Sequence, residues 1–504
     1  MLWAFLLSLS FYPEYFGFLA WFALVRPIMI LVKLEGREAF HAAFFFGFSF
    51  NLFSMYWIAM VTPPGMIAAV FLVSSYYAIA LLIFNKVYHI NRLAGFLSLP
   101  FVWVGMENFR SLTQFAFPWS DLGYSQSYYL YIAQIVSVIS VSGLSFLIVT
   151  VNLLLYQVFR KELSIEKKLT SIFSSAAIIL GLTAYGWVTM PVIPIEGTIK
   201  IGMLQGAVPI DVKWDKQSRQ YSLDLYDSLI QSIADTGIAL FVWPETSAPC
   251  YLSNDPWCAD EVREIVKKSN SYHLVGALGA EFTGPNEYKS YNSCYQYSPE
   301  GRLESRYDKV KLVPFAEQVP YQEQLWFLRA DALKKVLTFI ETYDVTWWSD
   351  FYPGDSAQLF ELPDHFYGLL LCFESTFPDY SRQYVLDGAE FLVGITNDTW
   401  FGESVGIYMH SRIFLMRCIE NRIWGVRVAN SGISYITDGY GRIREQLPIG
   451  EVSARVGKVG QFQGYSAFTK IGNLTGKLSW LITLALATIF FFRWLLAKLF
   501  LRKP

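Results

Sequence analysis

The chain has 504 residues, 53% of them hydrophobic and 17% aromatic, with only 16% charged and a formal net charge of −2. Soluble domains usually carry about a quarter charged residues, so this composition indicates a membrane protein. Near-neutral charge without a basic block argues against nucleic acid as a partner.

Apolar residues are unevenly distributed. Three domains are expected: residues 1–192 as an N-terminal transmembrane bundle of about seven spans, residues 195–468 as a more polar domain, and residues 477–500 as a closing transmembrane helix. A span needs about twenty apolar residues to cross a hydrocarbon core of roughly 30 Å. The segments of that length are Glu14–Val32, Phe40–Val61, Met66–Asn85, Leu93–Asn108, Leu130–Phe159, Leu169–Met190 and Leu478–Leu496. Met1–Phe11 precedes them as a further span, a half-span or an interfacial piece; it lacks a basic leader region and a cleavage site. If it crosses, alternate loops form a basic set and a set, around Tyr12–Tyr15, Thr62–Gly65 and Phe109–Gln126, whose only basic residue is Arg110. The basic set holds Lys33, Arg37, Lys86, Arg92, Arg160, Lys161, Lys167 and Lys168, then Arg493, Lys498, Arg502 and Lys503. The positive-inside rule makes that set cytoplasmic and puts the polar domain on the opposite side.

In the polar domain, strand-like runs alternate with helical spacing. Thr198–Gly206 and Ile238–Thr246 read as strands around a helix over Gln217–Ala234. HLVGALGA and SYNSCYQYS read as two further strands, and FYGLLLC and EFLVGITND as two more. His410–Trp424 reads as a helix, and SGISYITDGYGRI as a hairpin turning at Asp438-Gly439. The expected fold class is an α-helical transmembrane bundle plus an α/β layered extracytoplasmic domain. Sites in such layers sit past the carboxyl ends of strands.

Three strand ends carry chemistry: Glu245 after ALFVWP, Lys309 in YDKVKLVPFAE, and Cys372 after GLLL. A thiol is a poor nucleophile until deprotonated, a carboxylate can take its proton, and an ammonium can stabilise an acyl oxyanion. Taken singly, each has a plainer reading as a turn carboxylate, a solvated lysine and a core thiol. The five cysteines are Cys250, Cys258, Cys294, Cys372 and Cys418; Cys250 and Cys258 are near enough in sequence to pair. No CxxC pair occurs and His273, His365 and His410 are isolated, so neither a metal nor another cofactor is expected.

The segments WPET, YDKVKLVPFAEQVP and LCFES resemble the three signatures of the nitrilase superfamily, which has an αββα fold and a Glu-Lys-Cys triad. MLQGAVPIDVKWD, FPWSDLGYSQ and NDTWFG narrow the resemblance to the bacterial apolipoprotein N-acyltransferase family. The resemblance implies Glu245 as general base, Lys309 as charge stabiliser and Cys372 as nucleophile. It implies supporting or substrate-binding roles for Glu317, Glu374 and Trp214, and backbone N–H groups after Cys372 completing an oxyanion hole. Phe373 departs from the tyrosine usual in the family at that position. The implied reaction moves an acyl chain from a membrane phospholipid, most plausibly phosphatidylethanolamine, through a Cys372 thioester to the α-amino group of diacylglyceryl apolipoproteins. It implies a monomer in the bacterial inner membrane with the catalytic domain in the periplasm. Phe115–Tyr124 would border the lipid's access route or form an interfacial aromatic belt. The competing readings are a membrane-anchored amidase for a small C–N substrate, and a transporter or receptor with a degenerate nitrilase domain.

Overall fold

In this computed structural model, residues 1–213, 219–234, 237–284, 287–325, 350–462 and 464–500 are described. The chain divides into two compact units, one of Met1–Met190 with Lys470–Pro504 and the other of Pro191–Thr469.

The first unit is helical, because long apolar segments satisfy their own backbone polar groups in helices. Among the described residues, five helices are long and apolar enough to cross a membrane: Gly36–Met60, Pro63–Ile90, Val136–Val158, Ile165–Thr189 and Leu474–Leu496. Their starts follow local chemistry. Thr62 caps with its hydroxyl accepting from Gly65 N ahead of Pro63, Asn91 accepts from Ala94 N, and Ser164 from Lys167 N. The helix Arg92–Phe109 contains Pro100.

Two expected spans take other forms. The helix at the start covers only Leu2–Leu9, about 12 Å of rise, well short of a hydrocarbon core. Glu14–Val32 is not one helix but a 3₁₀ turn, Gly17–Trp21, followed by Val25–Leu31. Pro27 fits the first turn of that second helix, where its missing N–H costs no intrahelical hydrogen bond. Asn152 covers the break: its Nδ2 donates to Ala20 O (2.8 Å), and its Oδ1 accepts from Leu24 N (2.8 Å). The stretch around Phe115–Tyr124 packs inward. Trp119 lies 4.9 Å from Trp57 and 5.7 Å from Phe117, and the buried Arg110 pairs with Asp121 at 2.6 Å.

The second unit is a sandwich of two sheets. The first is built from β1 (Ile199–Gln205), β2 (Ile238–Val242), β3 (Ala248–Tyr251), β4 (Tyr272–Gly284), β5 (Glu287–Tyr297) and β6 (Leu303–Asp308). The second is built from β7 (Phe360–Leu362), β8 (His365–Leu371), β9 (Phe391–Thr396), β10 (Trp424–Ala429), β11 (Tyr435–Thr437) and β12 (Ile443–Gln446). The chain then returns through β13 (Ser453–Val459), which pairs with β1, giving the order β13-β1-β2-β4-β5-β6 with β3 beside β4. The second sheet runs β12-β11-β10-β9-β8-β7, with β8, β9 and β10 parallel.

Alternation along the strands builds the core. Met203, Leu240, Val242 and Leu274 face Leu369, Leu371, Val393, Ile395 and Val426 between the sheets. On the outer face of the first sheet, Phe241, Trp243 and Val275 pack against helices Arg219–Ser232 and Pro256–Ser269. Gly368 lets helix Pro378–Leu386 lie close, since a Cβ there would stand 2.4 Å from the Tyr384 ring.

The expected hairpin is present as β11 and β12, but its turn spans Asp438 to Arg442, with Asp438 Oδ1 accepting from Tyr440 N and Arg442 N. The positive φ falls at Gly441, not Gly439. The helix expected over His410–Trp424 instead runs Val405–Asn421. Arg422 turns left-handed and ends it, so Trp424 starts a strand. Cys250 and Cys258 are joined as a disulfide.

Candidate active site

Glu245 sits in the turn after β2. Trp243 anchors that turn by stacking on Tyr226 at 4.7 Å and donating through Nε1 to His273 Nδ1 at 3.0 Å. Gly276 opposite admits the turn, because a Cβ would lie 2.3 Å from Pro244 O. Lys309 follows β6, its N–H donating to Asn292 O at 2.9 Å. Cys372 is the first residue after β8 and has φ +54°, a left-handed conformation that a non-glycine residue holds only when its surroundings enforce it. The strand ends thus lift a carboxylate, an ammonium and a thiol out of the two sheets.

These groups converge. Lys309 Nζ lies 3.6 Å from Glu245 Oε1 and 2.7 Å from Glu317 Oε1, and Lys309 is 1% exposed. Asn292 Nδ2 donates to both carboxylates, at 2.7 Å to Glu245 Oε1 and 3.1 Å to Glu317 Oε1. Asn397 N donates to Glu245 Oε2 at 2.7 Å, and Val313 N to Glu317 Oε2 at 2.8 Å. Both carboxylates are therefore aimed by donors from separate elements. Burial alone would lower the Lys309 ammonium, but Glu317, Cys372 and Glu245 outweigh it and hold its pKa well above the ordinary value.

Burial pushes the Cys372 thiol pKa far up, the Glu245 charge adds to the rise, and Lys309 opposes it. A raised thiol pKa makes nucleophilicity depend on proton removal during the reaction.

Glu374 is fully buried and acts as a hub. Its Oε1 accepts from Tyr307 OH (2.6 Å), Val310 N (2.8 Å) and Lys311 N (3.2 Å), and its Oε2 from Leu371 N (2.9 Å). It ties the backbone before Cys372 to that flanking Lys309. Burial pushes its carboxyl up despite these donors. Phe373 is buried against Phe377, 5.2 Å between ring centres. Lys311 Nζ lies 5.6 Å over the Phe377 ring. Trp214 lies outside the described residues.

Several groups were not singled out by sequence reasoning. Asn292, the bridging amide, reads only as one polar residue in a strand-like run. Lys213, at the end of helix Ile210–Lys213, is buried and donates to the Glu245 carbonyl oxygen at 3.0 Å. Burial brings its pKa down to about 7, with the Glu245 charge opposing. Lys213 belongs to the quoted VKWD, where the adjacent tryptophan draws attention first.

A two-sheet α/β sandwich with a carboxylate, an ammonium and a thiol at its strand ends defines a carbon–nitrogen hydrolase type of domain. The family model described as carbon-nitrogen hydrolase matches residues 200–456. A second one, described as the apolipoprotein N-acyltransferase N-terminal domain, matches residues 3–154. The apolipoprotein N-acyltransferase of Geobacter metallireducens is 31% identical over 483 residues, 93% of this chain and 90% of its own length. That of Chlorobaculum tepidum is 29% identical over 457 residues, 85% of this chain and 84% of its own. Among solved structures, a variant of the Nesterenkonia AN1 amidase covers 56% of this chain and 96% of its own at 16% identity and a TM-score of 0.38. The chain belongs to the apolipoprotein N-acyltransferase family, and it is an acyltransferase rather than a free-standing amidase.

Proposed function

We propose that Cys372 carries an acyl group from a membrane phospholipid, phosphatidylethanolamine being the expected donor, to the α-amino group of diacylglyceryl apolipoproteins. Glu245 takes the Sγ proton as sulfur attacks the ester carbonyl, and Lys309 stabilises the oxyanion. Collapse of the intermediate breaks the ester C–O bond, Glu245 returns the proton to the departing lysophospholipid oxygen, and a thioester remains. The incoming amine then attacks the thioester. Glu245 takes its proton and passes it to the departing sulfur, leaving an amide and the original thiol. Glu317 and Asn292 hold Lys309 and Glu245 in register through both halves, and Trp214 serves the substrate. The protein acts as a monomer in the bacterial inner membrane, with residues 195–468 in the periplasm between the bundle and the closing helix.

The observation that carries this reading is the buried Lys309 Nζ, 2.7 Å from the Glu317 carboxylate and 3.6 Å from that of Glu245, beside a thiol whose pKa burial raises and Lys309 lowers. The test is mass spectrometry of the full-length protein after incubation with defined phosphatidylethanolamine. A mass increment of one acyl chain on Cys372, absent from Cys372→Ala, is expected. Glu245→Gln should slow its appearance by about 10²–10⁴-fold. Turnover of a small amide with no acyl trapped from lipid would sink the reading.

A further inference from the structure

The nucleophile's own backbone carbonyl is held by a histidine that the chemistry above does not use. His410, on helix Val405–Asn421, places Nε2 3.1 Å from Cys372 O and 3.2 Å from Ser375 Oγ. Ser375 Oγ donates to the same carbonyl at 2.8 Å. Because Cys372 O can only accept, the ring hydrogen at Nε2 donates to it. On the other side, Nδ1 lies 2.8 Å from Asp398 Oδ1 and 3.1 Å from an Arg427 guanidinium nitrogen. Arg427, on β10, also pairs with Asp398 Oδ2 at 2.7 Å and donates to Ile433 O at 2.6 Å. Thr396 Oγ1 donates to Asp398 Oδ1 at 2.9 Å. His410, Asp398 and Arg427 are each 1% exposed, and the Phe401 ring stands edge-on to the imidazole at 5.9 Å.

Two features make this more than a satisfied core histidine. The carbonyl it grips belongs to Cys372 itself, whose φ of +54° is a left-handed conformation that its surroundings must hold. And Asp398 directly follows Asn397, whose N–H donates to Glu245 Oε2. The tripeptide Thr396–Asp398, at the carboxyl end of β9, therefore reaches the base through one residue and the nucleophile through the next.

We propose that His410 is a positioning residue for acyl transfer: braced by Asp398 and Arg427, it clamps the Cys372 carbonyl so that the left-handed elbow aims Sγ in fixed register with Glu245. The proposal rests on Cys372 being the nucleophile. A misplacement of about 1 Å at such a centre costs on the order of a hundredfold in rate.

The test uses the full-length enzyme in mixed detergent–phospholipid micelles. Two rates are followed by mass spectrometry: single-turnover thioester formation from phosphatidylethanolamine, and alkylation of Cys372 by iodoacetamide, which needs no lipid. His410→Ala is expected to slow both by about tenfold to a hundredfold while the half-saturating lipid concentration moves by less than about threefold. His410→Gln, whose amide can still donate to the carbonyl, is expected to recover most of both rates. Wild-type rates in His410→Ala overturn the proposal. So does a His410→Gln as slow as His410→Ala at an unchanged melting temperature, or failure of both variants to fold, which leaves His410 purely structural. If His410→Ala alone fails to fold, His410→Gln decides by the same criterion. A wild-type protein that alkylates at Cys372 but forms no thioester would defeat the acyl-transfer reading, and alkylation would still decide the role of His410.

Discussion

Asp398 shows how much one buried carboxylate carries in this domain. Burial would raise its carboxyl, but the Arg427 and His410 partners outweigh that and hold it well below the ordinary aspartate value. A depressed carboxyl adds stability above its unfolded pKa, near 3.9, and that stability disappears as pH falls toward the folded value. Asp398→Asn removes the charge and leaves Arg427 buried without it, which costs roughly 3–5 kcal/mol. Denaturation midpoints of the two proteins should differ by a constant amount above about pH 5 and converge as pH drops below about 4. A difference that stays the same down to pH 3 would mean that the Asp398 carboxyl is not depressed in the folded protein. At this scale the sequence reveals residue types better than their connections. Cys372 is legible as the end of an apolar run, and Glu245 and Lys309 as polar ends of others. Asn292 and His410 are not legible, because each acts through a partner far along the chain: Glu245 lies 47 positions from Asn292, and Cys372 38 positions from His410.

The elements of the sandwich follow their hydrophobic period closely, and the differences fall where a backbone signal overrides it. Apolar spacing continues from Phe414 past Ile423, so a helix over His410–Trp424 is the natural reading. The left-handed Arg422 ends the helix, Ile423 leads into the strand, and nothing in the arginine residue type demands that turn. In the same way Glu14–Val32 is apolar enough for a span, yet Pro27 and the turn at Gly17–Trp21 divide it. Pairing of Cys250 with Cys258 is open from spacing alone and is resolved by β3, which brings Cys250 beside the start of helix Pro256–Ser269. That bridge closes a short loop, so the double replacement Cys250→Ser with Cys258→Ser should cost roughly 2–3 kcal/mol in denaturant unfolding. Acyl transfer should persist, because neither sulfur contacts Glu245, Lys309 or Cys372 among the described residues. Lost turnover in a folded double variant would show that β3 controls the Glu245 turn that precedes it.

For the whole molecule, the side of the membrane on which the chemistry occurs is a question of charge and one helix. Counting spans from the first residue makes the answer depend on Leu2–Leu9, which is too short to cross. The count is unnecessary. Arg160, Lys161, Lys167 and Lys168 precede or begin the helix Ile165–Thr189, a 25-residue element apolar enough to cross a membrane, and the catalytic unit starts at Pro191. Basic residues beside a span bias their end toward the cytoplasm, so the proposed orientation has a support that does not depend on the first helix. The last long helix carries Arg493 and Lys498 at its far end, which agrees with a return to the same side. Alkaline phosphatase, active only outside the cytoplasm, should therefore be inactive when fused after Leu163 and active when fused after Glu196. Replacing Arg160, Lys161, Lys167 and Lys168 with Gln should lower the activity of the Glu196 fusion, since each charge near a span's end adds to the bias. An inactive Glu196 fusion beside an active Leu163 fusion would reverse the orientation. It would put Cys372 on the cytoplasmic side and require both acyl donor and lipoprotein to be met there.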